Sequence, residues 1–138
     1  MAPLEPVEAA RRPRVLLIED KLTERDLYAM ILEHEFEVLA ATRGEEGYRL
    51  ACDIRPNAII VDVLLPDGDG LELCVRLLTT LATATIPLIV LTGDEAAYVR
   101  ALTLRALAAV YRKPCPGEDL LRAVRHAVSV RRVGQRAR

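Results

Sequence analysis

AIIVDVLLPDGDG, residues 58–70, is the stretch that decides the fold. Its first four residues are apolar without alternation, which is the pattern of a strand covered on both faces. The run ends in an acid, Asp62, and the chain then passes through Pro66, Asp67 and Gly68, residue types that supply turn conformations. An amphipathic stretch opens at Gly70. The segment therefore reads as a buried strand, a turn carrying an acid at its start, and a helix.

Working outward, the same unit recurs. Strands are expected at residues 15–18, 38–41, 58–61, 86–91 and 108–111, and helices at 22–33, 45–53, 70–79, 95–105 and 118–132. In the last helix Leu120, Leu121, Val124, Ala127, Val128 and Val130 are read as the apolar stripe. Glu118 and Asp119 suit its N-terminal dipole, and Pro114 and Pro116 stand ahead of it, where they interrupt no helical hydrogen bond. Five β-α units with right-handed crossovers make an α/β, doubly wound, five-stranded parallel sheet with five helices. The expected strand order is 2-1-3-4-5, the flavodoxin-like choice among such folds.

Composition narrows the function. With 138 residues the chain matches one domain, and 19 Lys+Arg against 20 Asp+Glu leave a net charge of -1, so overall charge favours neither nucleic acid nor membrane. Cys52, Cys74 and Cys115 are an odd, scattered set that reads as reduced thiols. The opening MAPLEPVEAARRPR carries acids and prolines where a signal peptide needs an apolar core, so a soluble, cytoplasmic protein is expected. Residues 1–13 read as a flexible lead-in, 14–132 as the domain and 133–138 as a basic tail. His34 and His126 read as surface residues, and the arginines between Arg131 and Arg138 as a solvated tail or linker.

In open α/β sheets the functional crevice lies beyond the carboxyl ends of the strands. Here those ends carry Glu19 and Asp20, then Asp62, Thr92 and Lys113. Three carboxylates brought together repel one another unless a cation joins them, and an all-oxygen set suits magnesium. A free oxygen of Asp62 could then attack phosphorus, with Lys113 opposite the metal and Thr92 donating its hydroxyl hydrogen. Asp67 and Asp69 read as turn and helix-start residues, outside the site.

RVLLIED, VDVLLPDGDG, LTG and RKP, taken in order, resemble the receiver domain of two-component response regulators, of the chemotaxis-receiver type. The resemblance covers residues 14–132. It implies that Asp62 is the phosphoacceptor, that Lys113 and Thr92 contact the phosphoryl group, and that Asp20, Asp62, Glu19 and the backbone carbonyl of Leu64 hold Mg2+. It also implies a cis peptide between Lys113 and Pro114. The implied activity is self-catalysed phosphoryl transfer and autodephosphorylation, without further enzymatic turnover. The implied donor is a sensor histidine kinase or phosphotransfer protein, and the signal passes to an output protein that the sequence does not name. No membrane or direct nucleic-acid contact is expected, and a homodimer stays open.

The chain departs from the family at Val110, where a Tyr or Phe is usual three residues before the Lys. Tyr111 is one place late, which should turn it to the opposite face of the sheet. Two alternatives remain at this stage: a pseudo-receiver that binds partners without phosphorylation, and a phosphatase working through an aspartyl-phosphate. The phosphatase usually needs a second Asp two residues after the nucleophile, and Leu64 stands there. With no effector domain after Arg138, a stand-alone receiver or the N-terminal piece of a longer protein is expected.

Overall fold

The computed structural model describes residues 11–136. Its strands are β1 (Arg14–Ile18), β2 (Glu37–Ala41), β3 (Ala58–Val61), β4 (Leu88–Thr92) and β5 (Ala109–Arg112), all parallel, in the order β2-β1-β3-β4-β5. The helices are α1 (Leu22–Leu32), α2 (Gly44–Ile54), α3 (Gly70–Thr79), α4 (Glu95–Leu102) and α5 (Gly117–Arg136). The expected class and strand order are both present. Among the described residues no helix is long and apolar enough to cross a membrane.

The unbroken apolar runs hide a period of two. Leu16, Ile18, Ile59, Val61, Leu88 and Val90 pack with Ala51, Cys74, Leu77, Ala97 and Ala101 of α2, α3 and α4. Their neighbours in the chain, Val15, Leu17, Ile60, Ile89 and Leu91, pack with Tyr28, Leu32, Leu120, Val124 and Val128 of α1 and α5 on the other face. Alternating side chains on a doubly covered sheet produce this division.

Boundaries move where a local group intervenes. β4 starts at Leu88 rather than at residue 86, because Pro87 has no N–H for a ladder; its carbonyl still accepts from Ile59 N at 3.0 Å. α4 stops at Leu102 instead of 105: the Thr103 hydroxyl donates to the Arg100 carbonyl at 2.7 Å, and Leu104 N–H reaches back only three residues, to Ala101. α5 runs on to Arg136, so residues 133–136 continue the helix. Val130 is 56% exposed and does not belong to the stripe; at 100° per residue it sits about 60° beyond the arc of Leu120, Leu121, Val124, Ala127 and Val128. The lead-in is tied down by Pro13, whose carbonyl accepts from Glu37 N at 2.9 Å, while residues 1–10 and 137–138 of the expected lead-in and tail lie outside the described residues.

Between β3 and α3 the chain makes a two-residue antiparallel hairpin, Leu64–Leu65 against Gly68–Asp69, which the turn reading did not resolve. α3 then begins hard against β3. Gly70 N–H donates to the Val63 carbonyl at 2.7 Å, and a Cβ on Gly70 would lie 2.2 Å from the Asp62 carbonyl oxygen and 2.7 Å from Val63 Cα. Those obstacles are backbone and cannot rotate away. Gly70→Ala should therefore cost roughly 1–3 kcal/mol in chemical denaturation, although alanine is the better helix former. Unchanged or raised stability would show that the two backbones are not held this close.

Candidate functional site

The ladder carries one step past the strand ends and so aligns the acids. Glu19 N–H donates to the Ala41 carbonyl at 2.9 Å, Asp62 N–H to the Ile18 carbonyl at 3.1 Å, and Lys113 N–H to the Thr92 carbonyl at 2.9 Å. A parallel sheet puts all these ends on one edge. Glu19, Asp20 and Asp62 each offer a carboxylate oxygen within 4.8 Å of the others. Glu19 and Asp62 are 2% and 4% exposed.

One ammonium joins this group. Lys113 Nζ donates to Glu19 Oε1, to Glu24 Oε2 at 2.9 Å and to Asp62 Oδ2 at 3.2 Å, and its side chain is only 6% exposed. Asp62 Oδ1 accepts from Leu64 N–H at 3.3 Å. Asp20 Oδ1 is buried and has no hydrogen-bond partner, alone among the buried side-chain oxygens and nitrogens of the described residues. An unpaired buried carboxylate oxygen is costly. Its place beside two further carboxylates fits a hard, oxygen-liganded divalent cation.

The electrostatics follow from this crowding. Burial, opposed by the Lys113 hydrogen bond and reinforced by the Asp62 charge, pushes the Glu19 carboxyl up to about 7. Burial disfavours the Lys113 ammonium, but hydrogen bonds to Glu19 and Glu24 and the charges of Asp62 and Glu19 outweigh it and hold Lys113 above the usual lysine value. Burial also works against the Glu24 carboxylate, yet Lys113 and Lys21 keep its pKa below the usual glutamate value.

Thr92 is fully buried, and its Oγ1 accepts from Asp94 N–H at 3.3 Å, which leaves the hydroxyl hydrogen available to an incoming group. Asp94 in turn caps α4 through Ala97 N–H at 2.9 Å. A Cβ on Gly93 would stand 3.8 Å from Lys113 Cβ, so glycine keeps that wall open without being sterically required. Leu64 lies at the first position of the hairpin, directly after the acceptor turn. The Lys113-Pro114 peptide is cis, as the resemblance implies.

Asp69 caps α3 through Leu71 N–H at 2.9 Å, as expected of a helix-start acid, and its other oxygen pairs with Arg100 of α4 at 2.5 Å. Asp67 does more than turn the chain. Its two oxygens accept from Gly44 and Glu45 N–H at 2.7 and 3.0 Å, capping α2 from a loop more than 20 residues away. Those backbone bonds hold its carboxyl below the ordinary aspartate value. His34 and His126 are exposed. Cys52, Cys74 and Cys115 are free, and burial pushes the Cys74 thiol up to about 12, which leaves it unreactive.

Sequence reasoning missed Glu24 altogether. The available signal was its place in the first turn of a helix that starts two residues after the acid pair, where a side chain leans back toward the strand ends. The displaced aromatic behaves as expected. Val110 packs with the core beneath α2, α3 and α4, whereas Tyr111 packs with the core on the α1 and α5 face. The next residue, Arg112, pairs with Glu95 of α4 and lies 5.6 Å from the Tyr98 ring centroid.

Two buried acids with Asp20 beside them, a shared lysine and a strand-end threonine on the carboxyl edge of a 2-1-3-4-5 sheet define a phosphoacceptor receiver. The chain belongs to the response regulator receiver domain family, whose model matches residues 15–125. It is similar to protein PilH of Pseudomonas aeruginosa, 30% identical over 113 residues that cover 80% of this chain and 93% of that protein. It is also similar to the DNA-binding dual master transcriptional regulator RpaA of Synechocystis sp., 38% identical over 82 residues, 59% of this chain and 34% of RpaA. The chain thus spans about a third of RpaA and nearly all of PilH. Among solved structures, a CheY-like receiver domain protein from Methanospirillum hungatei superposes with a TM-score of 0.81 at 25% identity, over 89% of this chain and 98% of that one. The receiver domain of a sensor histidine kinase from Pseudomonas aeruginosa shares the fold at TM-score 0.78 and 24% identity, over 87% of this chain and 99% of that one; that structure has a magnesium ion coordinated in its active-site cleft.

The raised Glu19 pKa has a sign that can be measured without metal. The folded protein holds the Glu19 proton more tightly than the unfolded chain does, so ionising it on raising the pH from about 4.5 to about 7 removes stability. In chelator, the melting temperature of the wild type relative to Glu19→Gln should fall across that window and level off above it. A difference that stays flat, or rises with pH, would show that Glu19 is an ordinary ionised carboxylate.

Proposed function

We propose that Asp62 accepts a phosphoryl group from a phosphohistidine on a partner kinase or phosphotransfer protein. In this reading Asp20, Asp62, Glu19 and the Leu64 carbonyl hold Mg2+, and Lys113 and Thr92 bind the phosphoryl oxygens. The observation that carries it is the meeting of Asp62 with Lys113 Nζ at 3.2 Å in a cluster where a neighbouring carboxylate oxygen, Asp20 Oδ1, is buried and unpaired. That oxygen lacks what a cation supplies.

Phosphoryl transfer depends on placement and charge neutralisation more than on covalent chemistry from the protein. A bond forms between an Asp62 oxygen and phosphorus as the donor's phosphorus–nitrogen bond breaks, and the departing imidazole keeps its proton and leaves neutral. Magnesium, when bound, neutralises charge on the phosphoryl oxygens. Lys113 would supply a second positive charge beside Asp62, and Thr92 has a hydroxyl hydrogen to donate. Attack of water on the phosphorus then breaks the Asp62 oxygen–phosphorus bond, releasing inorganic phosphate and restoring the carboxylate, which is autodephosphorylation without other turnover. The phosphatase reading lacks its acid, because Leu64 stands two residues after Asp62. The pseudo-receiver reading lacks its cause, because Glu19, Asp20, Asp62 and Lys113 are all present and assembled. Three free cysteines suit a reducing, cytoplasmic setting.

Output is read to leave through the Thr92 loop and α4. Val110 offers no long side chain to follow Thr92, and Tyr111 lies on the far face, whereas Asp69–Arg100 and Arg112–Glu95 fasten α4 to the α3 cap and to β5. A phosphoryl group drawing Thr92 toward Asp62 would pull on that α4 connection.

Two experiments follow. Acetyl phosphate with magnesium should add one phosphoryl group, seen by mass spectrometry, and Asp62→Asn should abolish it; labelling that persists undiminished in the variant removes Asp62 from the role. On adding beryllofluoride, NMR shifts should concentrate on the Thr92 loop and α4 and leave Tyr111 nearly still. Should Tyr111 change rotamer while the Thr92 loop stays fixed, Tyr111 is the switch and the α4 route fails.

A further inference from the structure

We propose that Glu24 is a positioning residue that holds the third N–H of Lys113 at rest and must yield it to a phosphoryl oxygen. The inference rests on the phosphoacceptor reading above. An ammonium has three donors, and in this structure Glu19, Glu24 and Asp62 take all three. A phosphoryl group that binds Lys113 must displace one of them. Glu19 is 2% exposed, so water could not replace the hydrogen bond that its release would break. Asp62 is the acceptor itself.

Glu24 differs in each respect. Its side chain is 32% exposed, so water can solvate the carboxylate once it lets go. It also has another cation at hand: Lys21 Nζ lies 3.9 Å from the same Oε2 that Lys113 occupies. It sits in the first turn of α1, at the mouth of the site, and touches neither Asp20 nor Asp62 by any hydrogen bond in the structure. Glu24 is thus the exchangeable partner. Its carboxylate competes with the phosphoryl group for Lys113, and the competition weakens the phosphorylated state relative to a site without it.

The test uses the full chain with magnesium and beryllofluoride as the probe, with affinity read by NMR titration. Glu24→Gln keeps the shape but not the charge-assisted bond, and should bind beryllofluoride roughly threefold more tightly, the scale of a half-exposed ion pair. Glu24→Asp keeps the charge but is too short to reach Lys113, so it should resemble Glu24→Gln. If Asp behaves as wild type while Gln binds more tightly, the effect is long-range repulsion and the proposal is overturned. Equal or weaker binding in both variants overturns it as well, since Glu24 would then be inert or a helper of Lys113. In chelator both variants should melt slightly below wild type with unchanged circular dichroism, which reads the lost Lys113 contact independently of phosphorylation. A wild-type chain that takes up no beryllofluoride at all would overturn the phosphoacceptor reading itself, and this inference with it.

Discussion

The ammonium of Lys113 lets two carboxylates be buried where an unpaired one could not survive. Glu19 and Asp62 are almost wholly removed from water, and burial, reinforced by their repulsion, lifts Glu19 to about 7. A lysine nearly as buried meets both, and it arrives from β5, two strands away from β3 and three from β1 in the sheet order. The compensation is incomplete, because Asp20 Oδ1 still has no partner. Three carboxylates thus meet around a single ammonium, a balance that favours a further cation among them. Chemistry and stability are therefore drawn from the same few groups.

The scaffold places those groups through close backbone contacts. Gly70 lets α3 start within contact of the Asp62–Val63 backbone, and Gly47 lets α2 lie on Ile18, since a Cβ there would meet Ile18 Cδ1 at 2.4 Å. Asp67 then binds the start of α2 to the acceptor loop. Movement of the hairpin after Asp62 is thereby tied to two helices, and Asp69 extends the connection to α4 through Arg100. The α4 helix is short and its far end is fastened by Arg112, so the face that carries Val110 in place of an aromatic is held by ion pairs at its surface.

Much of this was legible in the residues. Short apolar runs, four of the five ending at a chemically marked residue, specify both a parallel sheet and the edge on which its chemistry lies, because strand direction is the only variable left. The faces of Val110 and Tyr111 were legible for the same reason, a period of two applied to known neighbours. What escaped depends on contacts distant in sequence. Glu24 reaches a lysine 89 positions later, and Asp67 caps a helix 22 and 23 positions earlier. Neither leaves a local pattern. The early end of α4 turned on one threonine hydroxyl, and Val130 on 60° or so of helical phase, both finer than apolar periodicity resolves.

The most direct test of the central claim is reductive trapping. Borohydride converts an acyl phosphate on an aspartyl side chain to the primary alcohol, so phosphorylated protein, reduced and sequenced by mass spectrometry, reports the acceptor atom by atom. The account predicts homoserine at position 62 and nowhere else. Homoserine at Asp20 or any other aspartate, or a phosphoryl group that borohydride does not remove, would contradict it.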